Sequence, residues 1–118
     1  MSVLFVYATT KDAGEARRIG RAVVEERLAA CANIIPGMRS VYWWQGRLEE
    51  GREAVLILKT TDDRLEALIA RIKDLHSYDC PCIEALPVVA GNPAFLDWVA
   101  QETHGSPAAE SDGLSDGG

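Results

Sequence analysis

The chain is predicted to fold as an α+β sandwich with the order strand, helix, strand, strand, helix, strand, followed by one more helix. Three observations predict it. Two unbroken apolar runs, residues 3–8 (VLFVYA) and 53–58 (EAVLIL), read as central strands buried on both faces. Each is followed by a segment with apolar residues at helical spacing. The two other strand-like segments carry prolines, which cannot donate a ladder hydrogen bond and so belong at sheet edges.

The elements follow in order. Residues 9–12 offer N-cap side chains to a first helix that runs to about Leu28. Ala16, Ile19, Val23 and Leu28 form its apolar face; Glu15, Arg17, Arg18, Arg21, Glu25 and Glu26 lie elsewhere. Gly20 weakens it slightly or lets it lie close to a sheet. Residues 30–44 form a long edge strand, bent where Pro36-Gly37 interrupts it. Residues 45–52 are polar, contain two glycines, and read as a hairpin connection. Thr61 or Asp62 caps a second helix in which Leu65, Leu68, Ile69, Ile72 and Leu75 or His76 share a face. A loop, residues 76–81, leads to a fourth strand, 83–89, marked as an edge by Pro87. Asn92 as N-cap with Pro93 at the first helical position opens the last helix.

Right-handed crossovers then set the first and third strands side by side in the middle of the sheet. These are the two apolar runs, so pattern and topology agree on a ferredoxin-like βαββαβ sandwich with a long hairpin between its second and third strands. The domain covers residues 1–104. Residues 105–118 hold one large apolar residue, Leu114, and are expected to be a disordered acidic tail.

Composition narrows the function. The 118 residues make one domain, 47% apolar and 25% charged. A net charge of −6, with no basic stripe, argues against nucleic acid as a partner. No run is long enough to span a bilayer, and the apolar start is too short for a signal peptide. Three cysteines, Cys31, Cys80 and Cys82, are not spaced as a disulfide framework, so a reduced, cytoplasmic setting is expected.

Two constellations stand out. Tyr42-Trp43-Trp44 ends the long edge strand. Successive strand side chains alternate faces, so at least one tryptophan points away from the single core. Burying such a side chain is worth roughly 1.5–3 kcal/mol, which makes a second copy of the chain the expected cover. The other constellation is His76 with Cys80-Pro81-Cys82. Imidazole and thiolate are ligands of zinc and copper, and residues two apart on a strand share a face. The simpler reading takes Cys80 and Cys82 as small residues entering a strand, and His76 as a helix-terminus cation. Cys31, in an Ala-Ala-Cys-Ala run, reads as a buried small hydrophobe. Asp62-Asp63 is explained by capping and Glu49-Glu50 by a solvated turn. No Gly-rich phosphate loop exists, and nothing supports Ser40, Ser77 and His104 as a catalytic set. No enzymatic mechanism is expected.

The pieces RLAACANIIPGMRSVYWWQGRLEE, EAVLILKTT and LHSYDCPCIEALPVVAGNPAFLDWV resemble the CutA divalent-cation-tolerance family from Val3 to about Glu102. The resemblance implies a ferredoxin-like subunit in a homotrimer with sheet edges paired across subunits. It also implies a role in tolerance or response to divalent metals such as copper, without an established enzymatic activity and with no required cofactor. The family's loop reads His-Pro-Tyr followed shortly by Pro-Glu. In this chain Ser77 replaces that proline and Cys82 the glutamate, and Ala8 stands where some members have a cysteine. His76 carries over, and Cys80 and Cys82, with Asp79 or a neighbouring subunit, are left to complete a copper or zinc site. A trimeric small-ligand sensor resembling the PII signalling proteins and a structural interaction module are the alternative functions.

Overall fold

The computed structural model of the chain describes residues 1–104; the expected tail, 105–118, lies outside the described residues. Strand β1 (Val3–Thr10) leads to helix α1 (Ala13–Glu25), then to the long strands β2 (Cys31–Trp44) and β3 (Arg47–Thr61). A 3₁₀ turn (Asp62–Arg64) enters α2 (Leu65–Leu75), followed by β4 (Ile83–Pro87) and α3 (Pro93–His104). The sheet order is β2-β3-β1-β4, all neighbours antiparallel. The apolar runs are central and the proline-bearing strands are the edges, as expected.

One face of the sheet carries the main core. Val6, Ala8, Leu56 and Leu58 point to it and pack on Ile19 and Val23 of α1 and Leu68 and Ile72 of α2. At Gly20 α1 lies close against the sheet. A methyl group there would lie 3.0 Å from Ala32 Cβ and 3.1 Å from Leu56 Cδ1, so the absent side chain sets the helix-to-sheet distance. The opposite face is only partly covered. Val99 of α3 packs over its end beside Val3 and Ala30. Phe5, Tyr7 and Ile57 on that face are half-buried, and Ile35 and Leu86 are exposed. The expected burial of the central strands on both faces is therefore met on one face alone within the chain, because α1 and α2 both lie on the same side.

Four boundaries differ from the sequence reading. First, α1 stops at Glu25 because Arg27 takes a left-handed conformation (φ 65°) and the Leu28 N–H closes back on Val23 O at 2.9 Å. Arg27 Nη1 is held there by Glu102 Oε1 at 2.8 Å. Second, the hairpin connection shrinks from residues 45–52 to Gln45-Gly46. Both have positive φ (50° and 78°), which is the two-residue turn that matches strand twist. Residues 47–52 are therefore strand, and β2 and β3 run on together as an arm. Third, α2 begins only after the 3₁₀ turn, without a side-chain cap; the Asp63 carboxylate instead accepts from Thr61 Oγ1 at 2.7 Å. Fourth, β4 ends at Pro87 rather than at residue 89.

The register shifts between Ile35 and Met38, where Pro36-Gly37 bulges out and Gly37 has φ 73°. Beyond the bulge, pairing resumes at Met38↔Glu53 and continues to Trp44↔Arg47. At about 3.3 Å per residue, the 15 residues of β3 account for the molecule's 50 Å long axis.

Candidate functional site

Strand alternation beyond the bulge sorts the arm into two faces. Met38, Ser40, Tyr42 and Trp44 point one way, with Glu53 opposite Met38 on β3; Val41 and Trp43 point the other way, with Leu48 opposite Trp43. The first face joins the open side of the sheet. Where arm and sheet meet, Tyr7 and Thr9 of β1, Glu53 of β3 and the loop before β4 enclose a cleft of about 560 Å³. Tyr78, Asp79, Cys80 and Cys82 form its loop-side rim. Trp43 is left outside and is 73% exposed; Trp44 is 58% and Tyr42 45% exposed.

The loop is anchored by a buried network. Asp12 caps α1 by accepting from Glu15 N at 2.8 Å, and Glu15 reaches back to accept from Lys11 N at 3.0 Å, a variant of the capping box. The second Glu15 oxygen accepts from Ser77 N at 2.7 Å, 62 residues away. Its side chain is 1% exposed. Burial alone would push this carboxyl up, but the N–H of Lys11 and the hydroxyl and N–H of Ser77 outweigh it, and the carboxyl is held below its ordinary value. Glu15 is thus a buried anchor, not the solvent-facing charge its helical position suggested.

His76 sits beside it with a fully buried side chain. Nε2 lies 2.7 Å from Thr9 O, so it donates; Nδ1 accepts from Tyr78 N at 3.0 Å. Both ring nitrogens are used, which fixes the tautomer and leaves no lone pair for an ion. The structure does not bring His76 together with Cys80 and Cys82 as a ligand set. Among the described residues, no group of three or more His, Cys, Asp or Glu side chains is placed to hold one metal ion. Cys80 and Cys82 are exposed free thiols, and Cys31 is a half-buried one. Burial, then the neighbouring Glu84, raises the Cys82 thiol above its ordinary value; its Sγ lies 3.8 Å from Glu84 Oε1.

The cleft's other polar groups are tied to one another. Tyr78 donates its hydroxyl to Glu53 Oε2 at 2.8 Å, and Tyr7 donates to Met38 Sδ at 3.6 Å. Burial and then the Glu53 carboxylate hold the Tyr78 phenol well above its ordinary value; burial and then the charges of Cys82, Glu53 and Glu84 raise Tyr7. Sequence reasoning picked out Tyr42, Trp43, Trp44, Cys80 and Cys82 but missed Tyr7, Glu53 and Tyr78. The i, i+2 alternation leading to Trp44 was the available signal for one wall. Nothing local marks Tyr78 as a partner of Glu53.

The family described as CutA1 divalent ion tolerance protein matches residues 4–102. The divalent-cation tolerance protein CutA of Thermus thermophilus is 47% identical over 98 residues, 83% of this chain and 95% of that protein. The chloroplastic Protein CutA 1 of Oryza sativa is 41% identical over 104 residues; this chain spans only 58% of its length. Among solved structures, the Thermus thermophilus protein superposes with a TM-score of 0.83 at 45% identity, covering 85% of this chain and 97% of that one. The Oryza sativa CutA1 structure gives 0.86 at 39% identity, covering 90% and 97%. Fold, order of elements and sequence thus converge, and the chain belongs to the CutA1 divalent ion tolerance family.

Proposed function

We propose that this chain is a homotrimeric divalent-cation-tolerance protein that captures soft or borderline metal ions weakly at the cleft rim. Cys80 and Cys82 supply the thiolates, and Asp79 or a neighbouring subunit completes the ligand set. The observation that carries the reading is the arm, with Val41, Trp43 and Leu48 more than 60% exposed together on one of its faces. Single exposed apolar residues are ordinary, but a contiguous aromatic and aliphatic patch marks an interaction surface. Another copy of the chain is its proposed cover.

The role is one of binding rather than catalysis, in keeping with relatives named for cation tolerance. Exposed thiols suit Cu(I) best, zinc and Cu(II) less well. The donor set excludes His76, whose nitrogens are committed inward. Because a thiol must lose its proton to bind, and Cys82 holds its proton more tightly than usual, capture strengthens as pH rises. Unpaired cysteines favour the cytoplasm as the compartment. No helix among the described residues is long and apolar enough to cross a membrane.

Titration of the full chain with Cu(I) and zinc, followed by calorimetry at several pH values, tests the metal reading. The wild type should bind Cu(I) more tightly at higher pH, and Cys80→Ser with Cys82→Ser should abolish the Cu(I) signal without altering assembly. Parent-like binding by the double variant would reduce the cysteines to packing residues.

A further inference from the structure

The cleft carries a chemistry that the thiols do not use. Its walls bring together four aromatic side chains, Tyr7, Tyr42, Trp44 and Tyr78, and two carboxylates, Glu53 and Asp79; among the described residues no lysine, arginine or histidine lines it. The placement comes from the fold itself. Tyr42 and Trp44 share one face of β2 beyond the bulge, Tyr7 projects from the same side of β1, and the Tyr78 hydroxyl is pinned to Glu53.

An aromatic ring attracts a cation through its electron-rich face, and more strongly where the cation sheds water. Nearby carboxylates add a full opposite charge. Burial first and neighbouring acids after it raise the phenols of Tyr7 and Tyr78, so neither ring hydroxyl gives up its proton to the cleft readily. The volume, about 560 Å³, falls within the roughly 300–1,000 Å³ of small-molecule sites. A small, strongly hydrated metal ion demands several converging N, O or S donors in exchange for its water. The aromatic walls offer ring faces rather than such a converging set: Glu53 Oε2 is already engaged by the Tyr78 hydroxyl, and among the described residues no three His, Cys, Asp or Glu side chains are placed to hold one ion. A bulky, weakly hydrated organic cation demands little beyond ring faces and a diffuse negative field.

We propose that this cleft binds a small organic cation of the quaternary or alkylated ammonium type, held by the Tyr7, Tyr42, Trp44 and Tyr78 walls with Glu53 and Asp79 as counter-charges. The site does not depend on Cys80 or Cys82, and Asp79 is the one residue it shares with the metal capture proposed at the rim. Glu53 has a double part. Its Oε2 holds Tyr78 in place, and its charge faces the cation.

Choline is the probe, and 3,3-dimethylbutan-1-ol, which has the same shape without the charge, is its control. Both are titrated into the full-length wild type by calorimetry at constant ionic strength. Choline should bind at least about tenfold more tightly than the neutral alcohol, the size expected of a partly desolvated cation–π site. Tyr42→Leu, which keeps apolar bulk but removes the ring, should weaken choline by about tenfold and leave the alcohol unchanged. Glu53→Gln, which keeps an acceptor for Tyr78, should do the same. Equal binding of choline and alcohol by the wild type overturns the proposal, as does binding of neither. The wild-type comparison decides even where a variant folds poorly, and a choline result of either sign leaves the Cu(I) titration to stand or fall by itself.

Discussion

Glu15 and His76 show how far a side chain's role can depart from its place in a pattern. Glu15 looks like a surface residue of its helix and His76 like a helix-terminus cation, yet both are buried and hydrogen-bonded to each other's surroundings. The Asp12-to-Glu15 spacing is a legible capping signal. The long-range partner, Ser77, is not, because nothing in the local sequence ties it to α1. Replacing Glu15 by Gln would turn an amide NH₂ toward the N–H groups of Lys11 or Ser77. A loss of about 1–3 kcal/mol in urea unfolding is expected. Because the Glu15 carboxyl is held below its ordinary value, its contribution is complete above the ordinary carboxylate range and lost as pH falls through the folded value. The Gln variant should therefore show a flatter acid limb than the parent. A variant as stable as the wild type would show the network to be dispensable.

The exposed pair Asp63–His104, 2.5 Å apart, has a two-sided pH dependence. The hydrogen bond to Asp63 and then Ala100 O raise the imidazole; the Thr61 hydroxyl and then His104 lower the carboxyl. The raised His104 contributes fully below the ordinary imidazole value and loses that contribution as pH rises through its folded one. The lowered Asp63 contributes above the ordinary carboxylate value and loses it as pH falls. Thermal midpoints should therefore decline on the alkaline side through a step that His104→Gln removes. Identical pH profiles for parent and variant would leave the end of α3 without this clamp.

At the scale of elements, periodicity and punctuation carried most of the fold. The apolar runs fell in the centre, the prolines at the edges, Pro36-Gly37 at a bulge and Asn92-Pro93 at a helix start. The length of the arm was not legible, because residues 47–52 are polar and carry a glycine. They are strand because β2 pairs with them, not because they bury anything. Gly20 was legible as a close approach, and its energetic consequence is testable. Gly20→Val must displace Ala32 or Leu56, and overpacking outweighs any gain in helix propensity. A loss of about 1–3 kcal/mol is expected by thermal or urea unfolding. A neutral result would mean that α1 can slide away from the sheet freely. The arm also separates its two tryptophans by face. Trp44→Ser should weaken ligand binding in the cleft, whereas Trp43→Ser, on the outer face, should weaken association.

At the scale of the molecule, one fact organises the rest: a single chain covers one face of its sheet with helices and leaves most of the other, plus a long aromatic arm, to something else. Topology was legible because crossover handedness and strand hydrophobicity agree. The cleft was not, since it arises where the arm, β1 and the β4 loop meet, from residues as far apart as Tyr7 and Cys82. The proposed homotrimer rests on the outer face of the arm, where Val41, Trp43 and Leu48 are exposed together. Sedimentation equilibrium of the full chain at micromolar concentration tests this most directly. The expected result is a single species of three chain masses, which Trp43→Ser combined with Leu48→Ser shifts toward one. A wild type that sediments as a stable monomer over the same range would contradict it.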